Sequence, residues 1–450
     1  MNNRLASCYS LTIGALMKVS FLHMADIHLG NEQYGRKERA DDFARVFYHA
    51  VEYAVQQHVD FVVIAGDLFE RATIDPVTFD QAFFGLEDLR RARIPVIDIA
   101  GNHDRARYGQ GRAWVESLGL HGFLYYLDAA TPQGISLVPC SPEDGTGSYL
   151  DLKGIRFVGM RYLGATTARG VEELGAQLAV LNTGNRPYTI CLLHGGLDGV
   201  VPNYRAELTM EQLSPLRGLV DYVALGHIHQ HYEREGWVYN PGSLETWNAG
   251  EVGLERGFLH VMVDTLAEPK HTARLIQPPR RPFLRQRLSV EPCATPEQLQ
   301  ELVRRAAEEW SRRSSEEAPV VHLTLIGRLR FDRRNLDMGL LENELVSILH
   351  PLVVQLRDQT DETAFQLSTP EDGSLDLSAL EIEVLRQPFA NDDRWVHQAS
   401  AWAVLAQRLK QGVVAERSAE ELAEVVRGEA PALLRAASGR TSQDEEAANG

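Results

Sequence analysis

Cysteine is scarce in this sequence. The 450 residues include four, Cys8, Cys140, Cys191 and Cys293, and no two of them form a Cys-x-x-Cys pair. This spacing argues against a disulfide framework and against a zinc ribbon. It favours a reducing compartment, so we expect a cytoplasmic location.

Long apolar runs are also missing. No uninterrupted apolar segment approaches the roughly 20 residues that a membrane-spanning helix needs, so we expect no membrane partner. Residues 1–16 contain one basic residue, Arg4, and a short, interrupted apolar stretch, which is unlike a signal peptide. A strand-like pattern begins directly after Met17, and the segment before it is predicted to be a dispensable extension.

Positive charge is in deficit. The chain has 45 Lys and Arg against 62 Asp and Glu, a net charge of -17, which normally counts against a nucleic-acid partner. The exception is residues 280–334, where twelve arginines face eight acidic residues, a local net charge of +4. A solvated surface of mixed charge is the simpler explanation of that count, and a DNA-binding face is the alternative.

What is present is the pattern of a layered α/β protein. Between residues 18 and 277, short apolar runs alternate with amphipathic stretches. The helical spacing of Phe43, Phe47, Ala50 and Ala54 predicts a helix. The continuous apolar run Phe61-Val62-Val63-Ile64-Ala65 predicts a strand that is covered on both faces.

A Pro-rich joint at residues 277–282 divides the chain, so we predict a first domain at residues 17–278 and a small α+β domain at residues 279–357. Residues 358–374 are polar and are expected to form a linker. A helical segment is predicted at residues 375–437, where Trp395, Ala399, Trp402, Ala406 and Leu409 form an apolar stripe. Ser418 and Glu421 match a capping box, and the polar tail from Ser438 is expected to be disordered.

Five short polar motifs each follow an apolar run. In layered α/β proteins ligands gather at the carboxyl ends of strands, so these motifs are predicted to converge on one edge. Their carboxylate, amide and imidazole groups suit a divalent ion such as manganese. The motifs are Asp26-Ile27-His28, Gly66-Asp67, Gly101-Asn102-His103-Asp104, His194-Gly195 and His227-Ile228-His229.

Two ions roughly 3.5 to 4 Å apart are served by a shared carboxylate, and Asp67 is the natural bridge because it stands alone between richer motifs. The i, i+2 spacing of Asp26 with His28, and of His227 with His229, predicts that both members of each pair project the same way from an extended strand end. Taken singly, each motif is equally compatible with an ordinary turn or a surface histidine. The occurrence of all five motifs directly after successive strands favours a catalytic metal site over five unrelated turns.

The motif set resembles that of the calcineurin-like metallophosphoesterase superfamily. Over residues 18–277, the sequence around the motifs is similar to that of the SbcD branch of this superfamily, the nuclease subunits of double-strand-break repair. The stretches that carry this similarity are Ala25-Asp26-Ile27-His28-Leu29-Gly30, Ala65-Gly66-Asp67-Leu68-Phe69, Gly226-His227-Ile228-His229 and Asn240-Pro241-Gly242-Ser243-Leu244-Glu245.

The resemblance implies two divalent metal ions, with manganese expected. One would be held by Asp26, His28, Asp67 and His229, and the other by Asp67, Asn102, His194 and His227. His103 would act on the transition state or the leaving oxygen, and Asp104 would hold its imidazole. Archaeal members have a histidine, linked to exonuclease activity, where this chain has Glu70, so exonuclease action is less secure here than phosphodiester cleavage in general.

The resemblance also implies a capping domain that contacts DNA, a helical segment that docks on an SMC-like ATPase, and a homodimer. The leading hypothesis is therefore a metal-dependent DNA exo- and endonuclease subunit. A phosphoesterase acting on a nucleotide, another small phosphodiester or a phosphoprotein stays open, since fold does not fix substrate. A non-catalytic scaffold subunit is the third alternative.

Overall fold

The computed structural model describes residues 18–106, 111–141, 143–182, 187–313, 317–361, 377–390, 395–415 and 417–437. The predicted N-terminal extension, most of the predicted linker and the predicted disordered tail lie outside these residues. Within the described residues, none of the helices combines the length and the apolar character needed to cross a membrane.

Strands and helices alternate along most of the chain. The helices are α1 (Lys37–Gln56), α2 (Pro76–Arg91), α3 (Trp114–Leu120), α4 (Thr167–Leu181), α5 (Pro296–Arg313), α6 (Met338–Leu349), α7 (Leu377–Ala390), α8 (Ala399–Val414) and α9 (Ala419–Ala437). The strands are β1 (Lys18–Met24), β2 (Phe61–Ile64), β3 (Val96–Asp98), β4 (Tyr125–Leu127), β5 (Ala130–Thr131), β6 (Gly134–Ile135), β7 (Thr146–Gly147), β8 (Tyr149–Leu152), β9 (Ile155–Met160), β10 (Tyr188–His194), β11 (Tyr222–Gly226), β12 (Tyr232–Arg234), β13 (Val238–Asn240), β14 (Phe258–Asp264), β15 (His271–Ile276), β16 (Phe283–Ser289), β17 (Val320–Arg328) and β18 (Val353–Asp361).

Two mixed sheets form the centre of the first part of the chain. The first has the strand order β15-β14-β1-β2-β3-β4-β7, and β1, β2, β3, β4 and β7 are parallel. The second has the order β12-β13-β11-β10-β9-β8, with β9, β10, β11 and β13 parallel. The carboxyl ends of β1, β2 and β3 therefore lie at one edge of the first sheet, and those of β10 and β11 lie at one edge of the second.

The two sheets pack face to face, with helices outside, which confirms the predicted layered α/β class. In β2, Val62 and Ile64 face α1 and α2. Phe61 and Val63 of the same strand pack with residues of the second sheet, such as Phe157. Helix α4 covers the far side of the second sheet. Both faces of β2 are therefore buried, which explains its continuous apolar sequence.

One polar side chain of β1 lies inside the layer between the sheets. His23 is fully buried. Its Nε2 donates to the backbone carbonyl oxygen of Leu225 (3.0 Å), and its Nδ1 accepts from the hydroxyl of Tyr222 (3.0 Å). Both ring nitrogens are thus used by the neutral imidazole, and burial lowers the pKa of His23 to about 3.

The chain after the Pro-rich joint forms a three-stranded sheet, β16-β17-β18, with helices α5 and α6 packed on each other. Strand β18 runs through Asp361, beyond residue 357, where the sequence predicts that the second domain ends. Arg281 at the joint makes a bidentate ion pair with the buried carboxylate of Asp42 in α1 (2.6 and 2.9 Å). Asp42 also pairs with Arg39, whose guanidinium is fully buried.

The chain divides into two compact units. The first reaches Leu288 and also includes Pro296–Leu325 and Leu336–Gln359, and the second includes Ser289–Thr295, Ile326–Asn335 and the chain from Thr360 onward. In the second unit, helix α8 begins at Ala399, so Trp395 of the predicted stripe precedes the helix, although its ring contacts Trp402 (5.2 Å between centroids). The predicted capping box is confirmed, because the Ser418 N–H donates to Glu421 and the Glu421 N–H donates to the Ser418 hydroxyl.

Candidate metal centre

The seven side chains predicted to bind metal come together at the carboxyl ends of five parallel strands. Asp26 and His28 follow β1, Asp67 follows β2 and Asn102 follows β3. His194 is the last residue of β10, and His227 and His229 follow β11. Because these strands belong to the two packed sheets, the site lies where the edges of both sheets meet.

One half of the site is built from Asp26, His28 and His229. The Nε2 atoms of His28 and His229 face each other at 3.2 Å, and Oδ1 of Asp26 lies 3.9 Å from Nε2 of His229. Nδ1 of His229 donates to Oε1 of Glu251 (2.9 Å), so the neutral ring presents a lone pair at Nε2. Opposed imidazole nitrogens with a nearby carboxylate form a group that fits one divalent cation.

The other half is built around Asn102. Its Oδ1 lies 3.0 Å from Nε2 of His194 and 2.9 Å from Nδ1 of His227. Nε2 of His194 is also 3.3 Å from Oδ2 of Asp67. Nδ1 of His194 donates to the Ala65 carbonyl oxygen (2.7 Å), which directs Nε2 into the site, as is usual for metal-binding histidines.

The electrostatics of this half also fit a cation. Burial opposes the charged form of His194, but the carboxylates of Asp67 and Asp26 raise its pKa to about 10. Burial would raise the pKa of Asp67, yet His194 holds it well below its usual range. This half of the site therefore favours positive charge beside the buried carboxylate, and a bound cation would supply it.

The backbone at these positions differs from the prediction. Asp26, His28 and Asp67 have φ of 52°, 54° and 55°, and His227 has φ of 88°. The expectation that the i, i+2 pairs project from extended strand ends is wrong. These residues adopt the left-handed conformation, in which Asp and His are among the better tolerated side chains.

Two glycines allow the loops to approach closely. A Cβ on Gly101 would lie 2.1 Å from Oδ1 of Asp67, and a Cβ on Gly66 would lie 2.5 Å from Nδ1 of His194. Any side chain at either position would displace a site residue. The Gly-Asp and Gly-Asn pairs in the motifs thus have a steric reason.

Asp104 has a different role from the one predicted. Its buried carboxylate accepts from the backbone N–H groups of Phe69 (2.9 Å), Gly101 (3.1 Å) and Leu68 (3.2 Å). The prediction that it orients the His103 ring is wrong, because Nδ1 of His103 donates to the backbone carbonyl oxygen of Glu70 (2.7 Å). Burial, together with the charge of Asp67, raises the pKa of Asp104 to about 7.

Several residues that contact the site were missed as site residues. Glu251 binds His229, and Oε1 of Glu207 lies 3.4 Å from Nε2 of His227. Tyr162 stacks on the His227 ring (5.4 Å), and the Trp247 ring lies 5.6 Å from that of His229. They lie in loops or near strand ends without a periodic pattern. The available signal was the Asn-Pro-Gly-Ser-Leu-Glu stretch, which directly precedes the loop with Trp247 and Glu251.

The part of the chain that carries these residues is similar to known proteins. The family model described as calcineurin-like phosphoesterase matches residues 19–231. The DNA double-strand break repair protein Mre11 of Archaeoglobus fulgidus is 33% identical over 273 residues, which cover 54% of this chain and 57% of that protein. The protein of the same name from Saccharolobus solfataricus is 31% identical over 215 residues, covering 48% and 50%.

A bacterial protein of undefined activity is similar as well. The uncharacterized metallophosphoesterase YhaO of Bacillus subtilis is 29% identical over 263 residues, which cover 55% of this chain and 58% of that protein. The chain spans about half the length of the curated relatives it matches.

Proposed function

We propose that the protein is a metal-dependent nuclease that hydrolyses phosphodiester bonds in DNA, because residues 19–231 match the family model of calcineurin-like phosphoesterases. The observation that carries the proposal is the set of inward-facing ligand atoms. Nε2 of His28 faces Nε2 of His229, and Nε2 of His194 faces Oδ1 of Asn102, each across about 3 Å. Opposed acceptor atoms repel unless a cation or a proton lies between them.

Two divalent ions, with manganese expected, would occupy this site. Asp26, His28, Asp67 and His229 would hold one, and Asp67, Asn102, His194 and His227 the other, with Asp67 common to both sets. Such ions supply Lewis-acid stabilisation of the charge that develops on the phosphoryl oxygens. In the structure Asp26 also belongs to both candidate ligand groups, one with His28 and His229 and one with Asp67 and His194.

His103 would act on the leaving group. Its Nδ1–H is held by the Glu70 carbonyl oxygen, so Nε2 is the ring nitrogen available to substrate. Its side chain is 28% exposed, whereas His28 and His194 are fully buried, so a substrate can reach it. A protonated His103 would donate from Nε2 to the departing oxygen.

DNA is the proposed substrate for two reasons. Two of the relatives at 31–33% identity carry the name of a DNA double-strand break repair protein. In addition, Arg285 and Arg287 are exposed two residues apart on β16, and Nη1 of Arg285 reaches the carbonyl oxygen of Gly250 (3.4 Å) in the loop that holds Glu251. A basic strand therefore lies beside the site, as a phosphate backbone would require.

The remaining parts of the chain are proposed to serve assembly in the cytoplasm. The helical segment at residues 375–437 would dock on an SMC-like ATPase, and residues 279–357 would form the capping domain over the nuclease core. The chain would work as a homodimer. Helix α2 supports this proposal, because Val77 (65% exposed) and Phe84 (56% exposed) lie two turns apart on one face of it.

The test is cleavage of labelled single- and double-stranded DNA by the purified chain with manganese, with and without a candidate ATPase. We expect cleavage that is abolished by a chelator and by Asp67→Asn. Turnover of a small phosphodiester such as bis(p-nitrophenyl) phosphate, with no action on DNA, would move the proposal to the small-substrate alternative. Metal-loaded protein that is inert towards both would favour a scaffold subunit.

A further inference from the structure

Glu70 is in contact with three side chains of the candidate metal centre. Its Oε2 lies 3.0 Å from Nδ1 of His28 and accepts from Nε1–H of Trp247 at 3.0 Å. Its backbone carbonyl oxygen accepts from Nδ1 of His103 at 2.7 Å. One residue thus touches a metal-binding imidazole, the imidazole proposed to act on the leaving group, and an aromatic wall of the site.

The segment that presents Glu70 is firmly held. The Glu70 N–H donates to the carbonyl oxygen of Leu29 (3.0 Å), close to His28 in the chain. The two residues before it, Leu68 and Phe69, donate their N–H groups to the buried carboxylate of Asp104. The Glu70 side chain is only 14% exposed, so its carboxylate has little freedom to leave His28 and Trp247.

The contact with His28 sets the direction of that ring. The approach is close but is not aligned as a full hydrogen bond, so its main contribution is the attraction between the carboxylate and the Nδ1–H dipole. With Nδ1 turned to Glu70, Nε2 faces His229. A carboxylate behind a metal-binding histidine fixes the tautomer and raises the basicity of the ligand nitrogen.

Trp247 is held by Oε2 of Glu70 and by a second glutamate, Glu251. Its backbone N–H donates to Oε2 of Glu251 (3.0 Å). The other carboxylate oxygen of Glu251, Oε1, binds Nδ1 of His229. The Trp247 ring lies 6.0 Å from the His28 ring and 6.3 Å from the His103 ring. The indole is therefore placed to report on events at both imidazoles.

We propose that Glu70 is a positioning residue with two separable tasks: its carboxylate orients His28 for the cation and fixes Trp247, while its backbone carbonyl orients His103. The inference rests on the proposed function for the role of His103. Its first part concerns cation binding alone. The side chain and the backbone of one residue thus serve different steps.

The experiment measures manganese binding to the full chain, without substrate, by calorimetric titration and by quenching of tryptophan emission. Glu70→Ala is expected to weaken manganese binding about 10- to 100-fold, as loss of an outer-sphere partner typically does. Glu70→Gln keeps an acceptor and loses the charge, so an intermediate loss is expected. Trp247→Phe should remove most of the quenching, which would identify Trp247 as the indole that reports manganese binding.

The matched control is Glu52→Ala, which removes an exposed glutamate of α1 and should leave manganese binding unchanged. At saturating manganese, Glu70→Ala should recover most of its phosphodiester cleavage, because the carbonyl that holds His103 is still present. Manganese affinity equal to that of Glu52→Ala would overturn the role of the carboxylate. Failure of recovery at saturating manganese would overturn the separation of the two tasks.

Circular dichroism of each variant checks folding. If Glu70→Ala does not fold, Glu70→Gln decides the first part, and wild-type manganese affinity in that variant overturns it. Since binding is measured without substrate, a chain that never cleaves DNA still tests the carboxylate. Failure of the proposed function is thus distinguishable from failure of the Glu70 proposal.

Discussion

Each of the four histidines proposed as metal ligands has a different partner at its second ring nitrogen. The partners are Glu70 for His28, the Ala65 carbonyl for His194, Glu207 with Tyr204 for His227, and Glu251 for His229. Three of these four partners include a glutamate, which strengthens the ligand nitrogens for a cation. In Glu207, the contact with His227 and the N–H of Gly196 outweigh the effect of burial and lower the pKa to about 2, so this carboxylate stays charged.

The first prediction at the residue scale concerns His103. His103→Ala is expected to reduce DNA cleavage about 10²- to 10⁴-fold, the usual contribution of general acid catalysis, because its ring contacts the site while none of the proposed metal ligands depends on it. Manganese stoichiometry should stay as in the wild type, measured by titration. His121→Ala, at an exposed histidine, is the control. Cleavage at the control rate would refute the role of His103.

The buried His23 is predicted to make the stability of the folded chain depend on pH. Its pKa is about 3 in the folded chain and 6.5 ordinarily, so between these values the unfolded chain binds a proton that the folded chain does not. Stability should fall as pH drops from 6.5 toward 3, by about 1.4 kcal/mol per pH unit from this group. Burial is the main cause, and the charge of nearby His231 adds to it.

His23→Gln keeps a donor for Leu225 and an acceptor for Tyr222 but cannot titrate. We expect its free energy of unfolding, measured with urea at several pH values, to fall less steeply below pH 6.5 than that of the wild type. Carboxylates contribute equally to both proteins. Parallel curves would show that His23 is not responsible for the acid sensitivity.

The strands and their ends were predictable from the sequence, whereas the contacts made by the loops were not. The apolar runs before Asp26, Asp67, Asn102, His194 and His227 indicated strands, and parallel strands bring their carboxyl ends together. The sequence could not show that Asp104 would bind the backbone of Leu68 and Phe69, because that contact joins segments 35 and 36 residues apart without a periodic pattern. Trp247 and Glu251 were missed for the same reason.

The arginine-rich stretch shows why counting charges was insufficient. Arg281 pairs with Asp42, and Arg304 and Arg305 pair with Glu301, so these guanidinium groups are neutralised within the chain. Arg285 and Arg287 are exposed on one strand beside the site loop. The local net charge of +4 therefore includes arginines with very different availability to a phosphate backbone.

The double variant Arg285→Gln with Arg287→Gln is predicted to weaken DNA binding and to reduce the magnitude of the slope of log affinity against log salt concentration. The decrease should be about 1.4 to 1.8, since each phosphate contact contributes roughly 0.7 to 0.9. Turnover of a small phosphodiester should stay the same. The paired arginines give the control, because Arg304→Gln with Arg305→Gln removes the same charge. Equal slopes in both double variants would exclude this strand as a DNA contact.

The Pro-rich joint itself is fixed to helix α1 through buried charges. Arg281 binds Asp42, Asp42 binds Arg39, and Arg39 donates to the carbonyl oxygen of Thr246, next to Trp247. The sequence predicted a boundary here from its prolines, and it could not predict that charged side chains would bridge it. The β16 strand is therefore held at a defined place relative to the site.

The exposed apolar face of α2 leads to a prediction about the oligomeric state. Phe84→Asp is expected to convert the proposed dimer to a monomer, because it places a charge on the exposed apolar face of α2 that a second copy would cover. Sedimentation equilibrium measures the mass. Val180→Asp, on α4 at a residue that is 73% exposed, is the control. A monomeric wild type, or a variant that stays dimeric, would contradict the proposed interface.

The left-handed backbone at Asp26, His28, Asp67 and His227 has a consequence for protein engineering. Each costs roughly 1 to 2 kcal/mol relative to a right-handed residue, and glycine would remove that cost. Replacing either aspartate, in contrast, would leave the backbone N–H groups of His227 and His103 without their carboxylate acceptors. A library selected only for heat resistance in chelating buffer would therefore enrich glycine at His227, the least buried of the four positions, and would keep both aspartates. Its most durable members would thus lack one proposed ligand of the second ion.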